Sequence, residues 1–306
     1  LSLHDALPIL LRTDEVNHAA GTISKASSRG YNLIQGNNLT VTQVHPKTEV
    51  VRESHNVGEA MEDLRRLAEE RLGKTDLDSG LDYGTIAISK YRKSDGTNSW
   101  LVTIPGTDGK HDSPFGWPQN VELMSSDSKQ RMEADSARMV QEAMKQAGIK
   151  SNEPVALIGH SQGGIVAATI ASDLKDDYDI EHVVTAGSPV ANHPIPEKTW
   201  VTSVEMDDEL VAALDGAANP SSDHWLTVRG TASKSSSNQE STFAGTPVTD
   251  APDNKEITHW LKYHQAAYQN ATDMGSTAVN THERHFDEII DGDLQEVMYF
   301  EGRMSK

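Results

Sequence analysis

The residues best suited by type and spacing to do chemistry are Gly159-His160-Ser161-Gln162-Gly163-Gly164, which fit the pattern G-x-S-x-G. With each fixed residue at about 7% usage, such a pattern arises by chance about 0.1 times in a chain of this length, so the motif gains its weight from what flanks it. Before it runs the apolar stretch Val155-Ala156-Leu157-Ile158, and after it Gly164 to Leu174 has the character of a helix with an apolar face. A strand, a sharp turn and a helix would lift the Ser161 hydroxyl out as a nucleophile. Glycines two places before and after it, Gly159 and Gly163, let the strand and helix pack around a strained serine. A helix N-terminus at the same point stabilises negative charge that develops nearby. The bland alternative is a serine N-cap on an ordinary helix.

A serine nucleophile attacking a carbonyl also needs hydrogen-bond donors aimed at the oxyanion. One expected donor is the backbone N–H of Gln162, directly after the nucleophile. The other has to come from a loop at the end of an earlier strand. Trp100 to Ile104 is β-rich and runs into Pro105-Gly106-Thr107-Asp108, which offers the N–H of Thr107 or of Asp108. A plain Pro-Gly turn is the competing reading.

Four blocks in order, IPGT, GHSQGG, TAGSPVAN and VEMDDELVAAL, resemble the class 3 (fungal-lipase-like) branch of the α/β-hydrolases and its bacterial relatives. They span roughly residues 99 to 270. The resemblance implies an α/β-hydrolase fold and esterase or lipase activity on acyl esters without a cofactor. In relatives the acid of the triad is an Asp followed by two apolar residues. Setting Leu210-Val211-Ala212 on that pattern puts Glu209 at the acid position with Asp208 one place before it, nearly equal in rank, and Asp207 third. A glutamate here departs from the usual aspartate, although it can orient a histidine equally well.

The base follows the acid in this chain order, which leaves His224, His259, His264, His282 and His285. His224 opens a strand, too early for the loop that delivers the base. His259 stands where the polar stretch DAPDNKEIT meets a helix, behind Thr258 as an N-cap, and is the expected base. His264 is the reserve. His282-Glu-Arg-His285 is one residue short of the H-E-x-x-H zinc spacing and reads as surface, so no metal is expected.

The positioning elements follow from periodicity. LTVTQVH (39–45) reads as a short strand, and Val57, Met61, Leu64, Leu67, Ala68 and Leu72 recur at helical spacing up to Gly73. GTIAISKYRK and SWLVTIPG flank Asp95-Gly96 as a hairpin leading into the core sheet. A long helix is expected from Ser126 to Ala147, stopping at Gly148. Strand VALIG, helix GIVAATIASDL and strands HVVTAG, TWVTSVE and HWLTVRG then predict an α/β fold: a mainly parallel central sheet with helices on both faces. The Ser/Thr-rich segment 231–249 reads as a mobile surface loop, HWLKYHQAAYQNA as a helix, and EVMYFEG as an edge strand. Phe115, Trp117, Leu123 and Met124 could wall an acyl pocket, or equally pack the core.

Residues 1–9, LSLHDALPI, resemble a translated sequencing adapter, and 1–36 reads as an N-terminal remnant ahead of a catalytic domain over 37–306. With 306 residues and 36% apolar content the chain can bury one sizeable core. A formal charge of −19 excludes nucleic acid as a partner over most of the surface. There is no cysteine, hence no disulfide or thiolate chemistry. No run of about 18 apolar residues predicts a membrane span, so the expected partner is a small-molecule or lipid ester, in either a cytoplasmic or a secreted setting. A thioesterase, amidase or acyltransferase could use the same triad, and a hydrolase-fold binding module could use none of it.

Overall fold

A computed structural model of the protein describes residues 35–207, 217–231, 240–243, 246–249 and 259–306. Its centre is an eight-stranded sheet in the order β1-β10-β2-β3-β4-β5-β6-β7. The strands are β1 (Asn38–Val44), β2 (Thr85–Arg92), β3 (Asn98–Ile104), β4 (Pro154–His160), β5 (Asp179–Ala186), β6 (Trp200–Met206), β7 (Trp225–Gly230) and β10 (Asp293–Ser305). Pairing is parallel from β3 through β7 and antiparallel among β1, β10, β2 and β3. This is the α/β-hydrolase fold.

Period-two alternation divides the core between the two faces. Trp100, Val102 and Ile104 of β3, with Val155 and Leu157 of β4, join one apolar cluster. Leu101, Ala156 and Ile158 join the other. The first face is covered by α2 (Trp117–Leu123), α3 (Ser128–Glu133), α4 (Asp135–Ala147) and α5 (Gln162–Asp173). The second is covered by α1 (Val57–Glu70), α6 (Leu261–Asp273) and α7 (Thr277–Ile289). Asn56 caps α1 by accepting from the Glu59 N–H at 2.8 Å. The Asp95-Gly96 hairpin forms as read, with Gly96 at φ +84 and Arg92 opposite Asn98.

Three expectations are corrected. The single helix over 126–147 is two: Ala134, fully buried at φ −58, ψ 131, ends α3 and starts α4. On one side of the break Arg131 pairs with Asp173 at 2.6 Å, and on the other Asp135 accepts from Gln119 at 2.8 Å. These are tertiary partners invisible to a count of apolar spacing. The stretch EVMYFEG is no edge: β10 lies between β1 and β2, with Met298, Tyr299 and Phe300 all buried. The edge on that side is β1, whose residues are exposed or half-exposed throughout, which suits a strand with one open side.

The third correction concerns the Ser/Thr-rich segment. Glu240–Phe243 (β8) and Thr246–Thr249 (β9) pair antiparallel, Phe243 opposite Thr246, so part of that segment is a hairpin. Residues 232–239 lie outside the described residues, as do 1–34, which contain the adapter-like start.

Candidate active site

The turn between β4 and α5 holds Ser161 at φ +54, ψ −121, a region L side chains avoid, and one of two such non-glycine residues among those described. Holding a residue there costs on the order of 1–3 kcal/mol and persists only where surroundings enforce it. They do so here from both sides of the backbone. The Ser161 N–H donates to the Ala186 carbonyl at 2.9 Å, and the Ser188 hydroxyl donates to the Ser161 carbonyl at 2.9 Å. A Cβ on Gly159 would stand 2.2 Å from the carbonyl carbon of Gly163, and one on Gly163 would stand 2.0 Å from the Ile104 carbonyl oxygen. Gly164 is equally constrained, since its Cβ would meet the Ser188 hydroxyl at 2.0 Å. Strand and helix therefore touch backbone to backbone.

The structure sets Nε2 of His259 2.8 Å from Oγ of Ser161. His259 lies just ahead of α6, whose N-cap is Trp260 with no side-chain cap bond. Thr258, expected as the cap, lies outside the described residues. His160 steadies this segment: its Nε2 donates to the His259 backbone carbonyl at 2.7 Å, and the two rings are 5.0 Å apart. His264 is fully buried within α6, where its Nδ1 donates to the Trp260 carbonyl at 3.0 Å. Asp208 and Glu209 lie outside the described residues. Asp207, at the end of β6, is exposed and accepts from the Thr231 hydroxyl at 3.0 Å.

The loop after β3 reaches the same spot. A Cβ on Gly106 would meet the His160 carbonyl oxygen at 3.0 Å and the Ser161 Cβ at 3.1 Å, so this loop is seated directly against the turn. The Thr107 hydroxyl accepts from Gln162 Nε2 at 3.1 Å and from Asn120 Nδ2 at 3.2 Å. Gln162 Nε2 also donates to the Gly116 carbonyl at 2.8 Å, which fixes the start of α5 to both ends of the 107–116 segment. Among the described residues no hydrogen bond engages the backbone N–H of Thr107 or of Gln162.

Asp108 does not present the free N–H expected of it. Its N–H is taken by the Phe115 carbonyl at 3.1 Å, because the chain turns back on itself there. Its carboxylate is instead a buried hub that accepts from Arg71 at 3.2 Å, the Gly84 N–H at 2.9 Å and the Ser113 hydroxyl at 2.7 Å. Arg71 is itself buried, which brings its pKa down to about 10 while the Asp108 charge opposes the fall.

Phe115, Leu123 and Met124 are core residues, whereas Trp117 is 59% exposed on the surface. His282 is also corrected. Far from lying on the surface, it is 3% exposed and contacts Thr202, while His285 stacks on Trp200 at 4.2 Å and meets His182 Nδ1 at 3.0 Å. These imidazoles lie toward the opposite end of the strands from Ser161, since His182 pairs with Trp200 at the start of β6. No group of three ligating side chains among the described residues could hold a metal ion.

The turn at Ser161, α5 and strands β4 to β7 fall within a stretch that is similar to a known family. Residues 120–242 match the PGAP1-like alpha/beta domain. That match contains Ser161 and Gln162 and stops short of both the 105–108 loop and His259. No curated protein and no solved structure matches the chain. Among the described residues no helix is long and apolar enough to cross a membrane.

The motifs named Ser161, Gln162, Thr107, Asp108 and His259, with Glu209 or Asp208 as the acid, but overlooked His160, Ser188 and Arg71, which hold the turn and the loops around Ser161. His160 and Ser188 sit inside GHSQGG and TAGSPVAN, where the serine and glycines drew the reading. Arg71 lies in a helix end 35 residues before the glycine that it holds, and nothing local marks it.

Proposed function

We propose that the protein is a serine hydrolase that cleaves carboxylic esters through an acyl-enzyme intermediate. Supporting this reading above all is the pairing of a serine at φ +54 with an imidazole nitrogen 2.8 Å from its hydroxyl. His259 takes the Ser161 proton as Oγ attacks the ester carbonyl, and Glu209 or Asp208 orients the imidazole and balances its positive charge. The N–H groups of Gln162 and Thr107 receive the tetrahedral oxyanion, each worth about 3 to 4 kcal/mol of transition-state stabilisation. His259 then protonates the leaving alcohol, and water releases the acyl group by the same steps reversed. No cofactor enters. The affiliation with fungal-lipase-like esterases and their bacterial relatives belongs to this proposal, with a small-molecule or lipid ester as substrate.

A fluorophosphonate probe tests it. The probe should label the wild-type chain at Ser161 and leave Ser161→Ala unlabelled, and that variant should hydrolyse no p-nitrophenyl ester. Ester turnover by folded Ser161→Ala at the wild-type rate would end the proposal, as would a wild-type chain inert to both probe and esters.

A further inference from the structure

Arg71 closes α1 far from Ser161 in sequence, yet its fully buried guanidinium spans two groups of the 105–109 loop. Nη1 donates to Asp108 at 3.2 Å and Nη2 donates to the Gly106 carbonyl at 2.8 Å. The second bond matters for direction. The Gly106 carbonyl and the Thr107 N–H belong to one peptide unit, which is trans and planar, so they point opposite ways. Whatever holds the carbonyl fixes the N–H. On the far side the loop is pinned by close approach to the His160 carbonyl and Ser161 Cβ. The Thr107 side chain is already committed to Gln162 and Asn120, which leaves its N–H to be aimed by the peptide plane alone.

We infer that Arg71 is a positioning residue for oxyanion stabilisation: by holding the Gly106 carbonyl it turns the Thr107 N–H toward the ester oxygen at Ser161. This rests on the ester-hydrolase reading. Asp108 serves as the anchor, since the guanidinium fork needs a fixed charge behind it to present Nη2 at a constant angle. Without that bond the peptide unit can rotate, and the donor has to be ordered anew in each transition state.

Arg71→Met combined with Asp108→Asn removes both charges and so leaves no buried ion without a counterpart. Arg71→Lys keeps a cation opposite Asp108 but offers one compact ammonium where the fork served two acceptors. Each variant is titrated with a fluorophosphonate to count competent serines, then assayed on p-nitrophenyl butyrate and inhibited with an alkyl boronic acid, whose tetrahedral adduct places an oxygen where the oxyanion forms. Expected is a fall in kcat per titrated serine of about 100-fold for the double variant, with a smaller fall for Arg71→Lys. KM should stay within about twofold, and the boronate inhibition constant should rise in step with the loss of kcat.

A merely structural role would lower the number of titrated serines and leave the rate per serine alone. Wild-type kcat per titrated serine and unchanged boronate inhibition in the double variant overturn the inference. If that variant does not fold, the same result in Arg71→Lys overturns it. A wild-type protein that neither labels nor turns over refutes the underlying hydrolase reading instead.

Discussion

His160 Nε2 donates a 2.7 Å hydrogen bond to the backbone carbonyl of His259, so the residue immediately before Ser161 holds the segment that carries the imidazole facing it. Ser161 and His259 are 98 residues apart in sequence, and this bond fixes their relative position through a rigid strand end. His160→Ala should therefore slow fluorophosphonate labelling of Ser161 and lower kcat/KM about tenfold, the loss of ~1.4 kcal/mol expected of one hydrogen bond. Labelling at the wild-type rate would mean that α6 packing alone positions His259.

The strained serine gives a stability prediction. The pair φ +54, ψ −121 mirrors an extended conformation and is open to glycine. Ser161→Gly should be more stable than Ser161→Ala by about 1 kcal/mol, because alanine keeps the strain that glycine relieves. Paired urea unfolding curves of the two variants measure this directly. Equal midpoints would show that the turn is not under tension.

At Gly163 no such relief exists. A methyl group there would stand 2.0 Å from the Ile104 carbonyl oxygen and 2.5 Å from that of Pro105. Backbone has to move at the centre of the sheet, and Gly163→Ala should destabilise by several kcal/mol, on the order of 4 or more. Soluble expression and a thermal melt report the result, and a melt unchanged from wild type would contradict the contact.

Acid should loosen the docking of α7. Burial is the first cause that pushes His182 well below its usual range, lowers His282 and brings His285 to about 4; neighbouring imidazoles lower all three further, while the bond to the Asp223 carbonyl opposes the fall at His282. These groups bind protons in the unfolded chain near pH 6.5 and resist them when folded, so their contribution is intact above pH 6.5 and is lost as pH falls toward 4. Unfolding followed from pH 7 to 4 should show falling stability, less steep in His285→Phe than in wild type. Identical slopes would remove the cluster as the cause.

Glu283 works in the opposite sense. Burial, helped by Asp287, raises its pKa to about 7, so the folded chain holds a proton that the unfolded chain releases above 4.5. Stability therefore falls as pH rises through that window. Glu283→Gln keeps an acceptor for the Val57 N–H, now at 3.2 Å from Oε1, and should be more stable than wild type at pH 8 by on the order of 1–3 kcal/mol. The difference should vanish at pH 4. A constant difference at both pH values would show that charge is not its origin.

Periodicity read the sheet well where both faces are buried. Strands β3 and β4 carry the apolar runs Trp100-Leu101-Val102 and Val155 to Ile158, while β5 and β6 intersperse buried Thr, Ser and His among Val and Ala, and buried segments of this kind have few other ways to satisfy burial and backbone hydrogen bonds together. The same reading misplaced EVMYFEG, because pairing partners set edge or interior position, and β1, which covers it, lies some 250 residues earlier. It also joined α3 to α4, because Arg131 and Asp135 show their separate partners only once α2 and α5 are in place.

By itself the sequence determined the turn: glycines at 159 and 163 leave a serine between a buried strand and a helix, and local sterics need no distant help to say so. It also offered two residues, Thr107 and Asp108, as candidate oxyanion donors and ranked the histidines. Only the tertiary structure engages the Asp108 N–H with the Phe115 carbonyl, which leaves Thr107 as the proposed donor, and only it brings His259 rather than His264 to the Ser161 hydroxyl. The reason is range: backbone strain and packing glycines act over a few residues and leave a local signature. An imidazole, a guanidinium and a carbonyl meet across the sheet by geometry that no neighbouring residue encodes.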